Sequence, residues 1–289
     1  MVFTLSSTFD EIIDDPSFVP FGRLIFPVQR EYLFGSNLND MQIHFYNYID
    51  PNDSLDVVNY MKHTVDSGKT LFYDIYTDEE KAADPEKKDT GLFFFRGKPG
   101  NPFAVTCAGG GFEFVGAIHG SFPLSLKLAQ QGYNAFALIY RPDPQKSCED
   151  LAKAIEFIFA HAEELKVDTK GYSIWGESAG ARTAAYLGSH GTEGFGCQVF
   201  PRAAAIIMQY TGHSEFTLND PPTYSNAGGN DIWHLDLAME ARYHAMKEAG
   251  IPVEFKRFEG LPHGYGLGRG TVAEGWHNEA VAFWEKYSK

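Results

Sequence analysis

The chain has 289 residues and a formal net charge of -14, from 24 Lys and Arg against 38 Asp and Glu. So acidic a balance argues against binding nucleic acid or an anionic membrane through bulk electrostatics, while the length suits one α/β domain with a large core plus an extension. Three cysteines, Cys107, Cys148 and Cys197, are widely separated, odd in number and without C-x-x-C spacing, so they suggest neither a disulfide framework nor a zinc site and read as the buried thiols of a cytosolic protein.

The first seven residues run into Asp10, Glu11, Asp14 and Asp15 with no basic n-region, and no 18-residue apolar stretch follows. The expectation is no secretory signal, no membrane span and a cytoplasmic location. Residues 1–50 are dense in aromatics, among them Phe18, Phe21, Phe26, Phe45, Tyr46 and Tyr48, without a clear secondary-structure period. Such residues are most often core, and a cap over a ligand pocket is the alternative. Residues 54–65 read as a helix with Asp53 as its cap. The apolar runs 71–76 and 92–95 read as antiparallel edge strands joined by a charged surface loop.

From about residue 100, short apolar runs alternate with amphipathic segments, the pattern of strands joined by crossover helices in a mostly parallel sheet. Strands are expected at 103–107, 134–140, 172–175, 203–210 and 253–258, and helices at 122–131, 148–165, 179–187, 235–249 and 272–287. In the second of these helices, Leu151, Ala154, Ile155, Ile158 and Phe159 recur three and four residues apart, as in a cover for a sheet.

Gly176-Glu177-Ser178-Ala179-Gly180 is a G-x-S-x-G motif between an expected strand and an expected helix. In that context the serine occupies a tight strand-to-helix turn that only small flanking residues allow. A serine hydroxyl is a weak nucleophile at neutral pH and needs a base, itself oriented by an acid. His263, in the glycine-rich loop 260–266 after the last expected strand, is the best placed base. Asp231, just past Gly228-Gly229, is the expected acid, although Tyr224-Ser225-Asn226 before it is polar for a buried parallel strand. Acyl transfer also builds charge on a carbonyl oxygen. The loop 107–112 with three consecutive glycines, together with the helix N-terminus, offers the N–H groups of Gly110, Gly111 and Ala179 as an oxyanion hole. Phe112 and Glu177 are candidates to face the substrate. His213, His234, His244 and His277 show no metal-ligand spacing and read as ordinary surface or core residues, and neither a metal nor a cofactor is expected.

On these residues, with 132–141, 150–155, Pro221-Pro222-Thr223, Pro262-His263-Gly264 and 273–276, the chain resembles the α/β-hydrolase superfamily, in particular small bacterial esterases of the acetyl esterase and acetyl-xylan esterase type. It departs from them at Ala108, where His or Pro is frequent, and in the shortness of 211–221, which leaves little room for a cap there. The resemblance implies an α/β-hydrolase fold: a mostly parallel central sheet with antiparallel N-terminal edge strands and helices on both faces. It implies a catalytic domain over 70–289 and an aromatic-rich extension over 1–69 that would serve as a lid. The implied activity is a serine carboxylester hydrolase for short acyl groups with the triad Ser178, His263 and Asp231. A prolyl oligopeptidase-type peptidase and a non-catalytic binding protein on the same scaffold are the alternatives. The expected partner is a small-molecule ester; association into a homo-oligomer is left open.

Overall fold

The computed structural model describes residues 2–289. In chain order its helices are α1 (Phe9–Ile13), α2 (Pro51–Asp66), α3 (Asp78–Ala83), α4 (Ser121–Gln130), α5 (Pro144–Ala160), α6 (Ala162–Leu165), α7 (Ala179–His190), α8 (Leu235–Glu248) and α9 (Trp276–Tyr287). The strands are β1 (Leu33–Phe34), β2 (Gln42–Ile43), β3 (Phe72–Tyr73), β4 (Gly91–Phe95), β5 (Pro102–Cys107), β6 (Asn134–Ile139), β7 (Asp168–Glu177), β8 (Ala205–Gln209), β9 (Thr223–Gly228) and β10 (Val253–Phe258).

Strands β3 to β10 form one eight-stranded sheet in the order β10-β9-β8-β7-β5-β6-β4-β3, while β1 and β2 make a separate antiparallel pair. All pairings from β6 to β10 are parallel; β4 runs antiparallel to β6 and β3 antiparallel to β4. The step from β5 to β6 and the steps from β6 to β7 to β8 move in opposite directions along the sheet. Right-handed crossovers therefore place α4 on one face and α5 and α7 on the other. This reversal of strand order beside β5 opens a crevice at the carboxyl ends of β5 and β7, where an open α/β sheet binds its ligand.

Local differences from the sequence reading have local causes. The cap of α2 is Asp50, whose side chain accepts from the Asn52 N–H, with Pro51 in the first turn; Asp53 is instead a buried first-turn residue. Helix α5 starts at Pro144, four residues before the expected start at 148, because Asp143 caps the N–H groups of Gln145 and Lys146. The run 71–76 pairs over only two residues, and the segment expected as a surface loop contains α3, which Thr77 and Glu80 close with a capping box. The polar strand β9 is buried along its whole length. Its polar side chains are partly paired: the Asn226 side-chain oxygen accepts from Tyr265 and the Ser225 hydroxyl donates to the Glu254 carbonyl, while the Asn226 side-chain nitrogen is buried without a partner.

Phe3, Phe18, Phe21 and Phe26 of the N-terminal segment are core, whereas Phe34 and Tyr48 are exposed. Phe3, Ile12, Phe18, Phe21, Ile25, Phe26 and Ile43 are buried in the same continuous cluster as Phe93 to Phe95 and Phe122. Among the described residues, no helix is long and apolar enough to cross a membrane.

Candidate active site

Strand β7 ends at Glu177 and α7 begins at Ala179, so Ser178 alone makes the turn, with φ 51° and ψ -117°. A non-glycine residue held there costs about 1–3 kcal/mol, which the surrounding structure must supply. The flanking glycines explain how the turn closes. A Cβ on Gly176 would lie 2.2 Å from the Gly180 carbonyl oxygen, and one on Gly180 would lie 2.2 Å from the Cys107 carbonyl oxygen. Only hydrogen at both positions lets the helix rise directly off the strand and pack against β5. The Ser178 N–H donates to the Gln209 carbonyl at 2.9 Å, tying the turn to the end of β8.

The structure brings Ser178, His263 and Asp231 together. His263 Nε2 lies 3.0 Å from Ser178 Oγ, and His263 Nδ1 lies 2.8 Å from Asp231 Oδ2. Both His263 and Asp231 are buried, and the second carboxylate oxygen of Asp231 accepts from the Trp233 N–H at 2.9 Å. Asp231 follows β9 and His263 follows β10, so the three residues come from neighbouring strand ends at one edge of the sheet. The ring of Tyr210 packs edge-on against the imidazole from one side, and Trp233 does so from another, each with centroids 4.8 Å away.

The glycine loop after β5 lies against the serine. A Cβ on Gly109 would come within 2.9 Å of Ser178 Cβ. Gly110 and Gly111 both have positive φ, and the Gly109 N–H is already bonded to Tyr46 and Glu177. Among the hydrogen bonds of the described residues, none has the N–H of Gly110, Gly111 or Ala179 as donor. Gly111 and Ala179 line the same cleft as Ser178, and Gly110 adjoins Gly111 in the chain.

A cleft of about 310 Å³ opens over Ser178, lined by Gly111, Phe112, Ala179, Arg182, Tyr186 and residues of the loop 211–215. Phe112 lines it. Glu177 does not: its carboxyl group is turned into the core, where Tyr46 and Tyr210 donate to it, because the residue before the elbow still belongs to β7 and its side chain falls on the sheet's interior. Burial raises its pKa, against the hydrogen bonds that lower it. The cleft instead carries Arg182, close to the elbow in the chain, and His213, which reads from sequence as an ordinary surface or core residue. Arg182 stands one helical turn beyond the nucleophile and donates to Tyr186, which donates to Glu215. His213 is buried against Tyr186, and burial pushes its pKa down to about 4, so it is neutral at pH 7. The signal for this group was position: 211–215 follows β8, the neighbour of β7, at the same sheet edge.

The N-terminal segment also reaches the site, though it lines no part of this cleft. Asn47 bonds to the carbonyls of Gly264 and His263, and Phe45 packs on Trp233. Gly264, with φ 67°, leaves room for the Phe45 carbonyl oxygen, which would lie 1.9 Å from any Cβ there. Among the described residues, no cluster of His, Cys, Asp and Glu is arranged to hold a metal ion.

A parallel sheet with this reversal, a serine on a strand-to-helix turn, and a His and an Asp from later strand ends define the α/β-hydrolase fold. A family model described as BD-FAE, an α/β-hydrolase family, matches residues 96–219. An acetyl ester-xyloside bifunctional hydrolase from Caldicellulosiruptor lactoaceticus is 20% identical and superposes with a TM-score of 0.65 over 74% of this chain and 95% of its own. A thermophilic esterase from Thermogutta terrifontis is 21% identical, with a TM-score of 0.57 over 69% of this chain and 86% of its own. A sugar hydrolase from Lactococcus lactis is 20% identical, with a TM-score of 0.58 over 68% and 94%. No curated protein sequence matches the chain significantly. The chain thus has the α/β-hydrolase fold and resembles esterases built on it.

Proposed function

We propose that the protein is a serine carboxylester hydrolase, acting on esters of short acyl groups such as acetyl through an acyl-enzyme. The observation that carries this reading is the unbroken hydrogen-bond line Ser178–His263–Asp231, whose serine lines the cleft. In the acylation step His263 Nε2 takes the proton from Ser178 Oγ as that oxygen bonds to the ester carbonyl carbon; Asp231 holds Nδ1–H and offsets the imidazolium charge. The carbonyl oxygen, now anionic, accepts from the free N–H groups of Ala179 and of Gly110 or Gly111, in a position at the N-terminus of α7 that favours negative charge. Collapse breaks the bond to the alkoxy oxygen, which takes the proton from His263. Water, deprotonated by the same imidazole, then releases the acid and restores the serine. No cofactor enters this cycle.

The small volume of the cleft supports a short acyl group, and its lining of Arg182, Tyr186, His213, Ser214 and Glu215 supports a polar substrate over a lipid-like one. The structural neighbours, an acetyl ester-xyloside bifunctional hydrolase and a thermophilic esterase, point the same way. Replacing Ser178 by Ala tests the reading. Hydrolysis of p-nitrophenyl acetate should fall by about four orders of magnitude or more with unchanged thermal unfolding; a rate near that of the unmodified protein would overturn it. A series of esters from acetyl to octanoyl should show kcat/KM falling as the acyl group lengthens.

A further inference from the structure

Glu177 is buried beside the nucleophile, and among the described residues it forms no ion pair with Lys or Arg. Its oxygens are held by hydroxyls instead. Tyr46 Oη donates to Oε1 at 2.7 Å, Tyr210 Oη donates to Oε2, and the Gly109 N–H, 3.4 Å from Oε1, points at the same oxygen. Tyr46 is shared further, since its hydroxyl accepts from the Gly109 N–H at 3.1 Å. Tyr210 is shared too: its hydroxyl accepts from the Gly266 N–H at 3.3 Å, and its ring edge rests on the imidazole of His263.

The chain has cleared space for this arrangement. A Cβ on Gly120 would overlap Glu177 Oε1 at 1.5 Å, and a Cβ on Gly116 would meet the Tyr46 ring at 2.4 Å. Neither glycine has a positive φ, so close approach, not backbone conformation, is what they provide. One carboxyl group thereby joins the N-terminal segment, the glycine loop, the elbow and the loop that carries the catalytic histidine.

We propose that Tyr46 is a positioning residue for the reaction: the N-terminal segment reaches through the Tyr46 hydroxyl and Glu177 to Gly109, and so sets where the adjoining N–H groups of Gly110 and Gly111 stand relative to Ser178. The role follows from connectivity. Gly109 lies so close to the elbow that a Cβ on it would stand 2.9 Å from Ser178 Cβ, and its N–H is bonded to the tyrosine; the next two residues carry the donors. Tyr46 lines no part of the cleft over Ser178, so it acts through the loop and not on the substrate. The segment usually expected to cover such a site here braces it. A displaced donor loses its hold on the oxyanion in the transition state while leaving ground-state binding nearly intact, so the effect falls on kcat.

This inference rests on the esterase reading, and its experiment separates the two. In Tyr46→Phe the ring stays and both hydrogen bonds go. On p-nitrophenyl acetate kcat should fall about 10- to 100-fold, with KM within about threefold. Affinity for a boronic acid, which mimics the tetrahedral intermediate, should weaken by a similar factor. Circular dichroism and thermal unfolding establish that the variant is folded. Should it not fold, Glu177→Gln keeps the bulk and one acceptor and should show the same split between kcat and KM, at smaller size. Wild-type kcat and boronate affinity in a folded Tyr46→Phe, or a loss confined to KM, would overturn the inference while Ser178→Ala still abolished activity. Unimpaired hydrolysis by Ser178→Ala would instead remove the reading on which it rests.

Discussion

Asp231 Oδ2 lies 2.8 Å from His263 Nδ1, and its other oxygen is occupied by the Trp233 N–H, so the carboxylate can serve the imidazole in only one orientation. That bond selects the tautomer with the proton on Nδ1 and leaves Nε2 as an acceptor toward Ser178 Oγ. Asp231→Asn preserves shape but presents an amide that can donate to Nδ1 and stabilise the opposite tautomer. The expected outcome is a kcat lower by about four orders of magnitude at neutral pH with little change in thermal unfolding. Steady-state kinetics on p-nitrophenyl acetate checks it, and a drop below tenfold would show that another acid serves His263.

Gly109→Ala tests the fit between the glycine loop and the elbow. The added methyl group would stand 2.9 Å from Ser178 Cβ and 3.3 Å from the Glu177 carbonyl oxygen, and neither can retreat without moving the backbone. Overpacking of this kind costs about 1–3 kcal/mol of stability. The larger effect should be on the reaction: kcat lower by about two orders of magnitude, because the loop moves away from the serine.

The end of β6 is fixed by a buried ion pair. Asp150 accepts from Arg141 Nη2 at 2.7 Å, from Arg141 Nε at 3.0 Å and from the Arg141 N–H at 2.7 Å, and also from the Tyr76 hydroxyl. Asp150→Ala leaves a buried guanidinium with only the partly exposed Asp84 and Glu149 beside it. A loss of about 3–5 kcal/mol is expected, read as a lower urea midpoint at constant m-value.

Acid should destabilise the fold through the buried His119 and His213 and the half-buried His277. Burial pushes the pKa of His119 down to about 3, and mainly burial pushes those of His213 and His277 to about 4, against 6.5 for the free side chain. Each is held neutral in the folded state, while the unfolded chain takes up protons below pH 6.5. Their contribution is therefore complete above pH 6.5 and is lost as pH falls toward 4. Glu177, with a raised pKa, acts in the opposite sense over the range above the ordinary glutamate value. His119 Nδ1 has no hydrogen-bond partner, so His119→Leu sacrifices no bond there. Between pH 7 and 4.5 that variant should lose less stability than the unmodified protein, by on the order of 2 kcal/mol. Calorimetry at the two pH values measures the difference, and equal losses would refute it.

The serine turn was legible because its requirements are local. Two glycines must flank Ser178 within five residues, and the strand before it and helix after it leave their own periods in the chain. The glycine loop, Asp231 and His263 were legible because strand ends in a parallel sheet share one edge, so chain order alone brings them to the same place. The alternation of strands and crossover helices likewise carried the sheet's mostly parallel character, although caps such as Asp50 and Asp143 shifted helix starts by a few residues.

Pairings across long separations were not legible. Tyr46 and Glu177 are 131 residues apart, and no spacing rule connects them; to a sequence reader one was an aromatic in an unassigned segment and the other a carboxylate next to a nucleophile. The polar strand β9 looked unfit for a core until its partners on other elements were visible. The place of His213 in the cleft was hidden for the same reason. What lies within one turn or one strand is written in the order of residues, because backbone sterics and hydrophobic period act over that range. Which side chain meets a buried carboxyl, and which loop it thereby holds, depends on where packing brings distant segments together, and that was decided only by the tertiary structure.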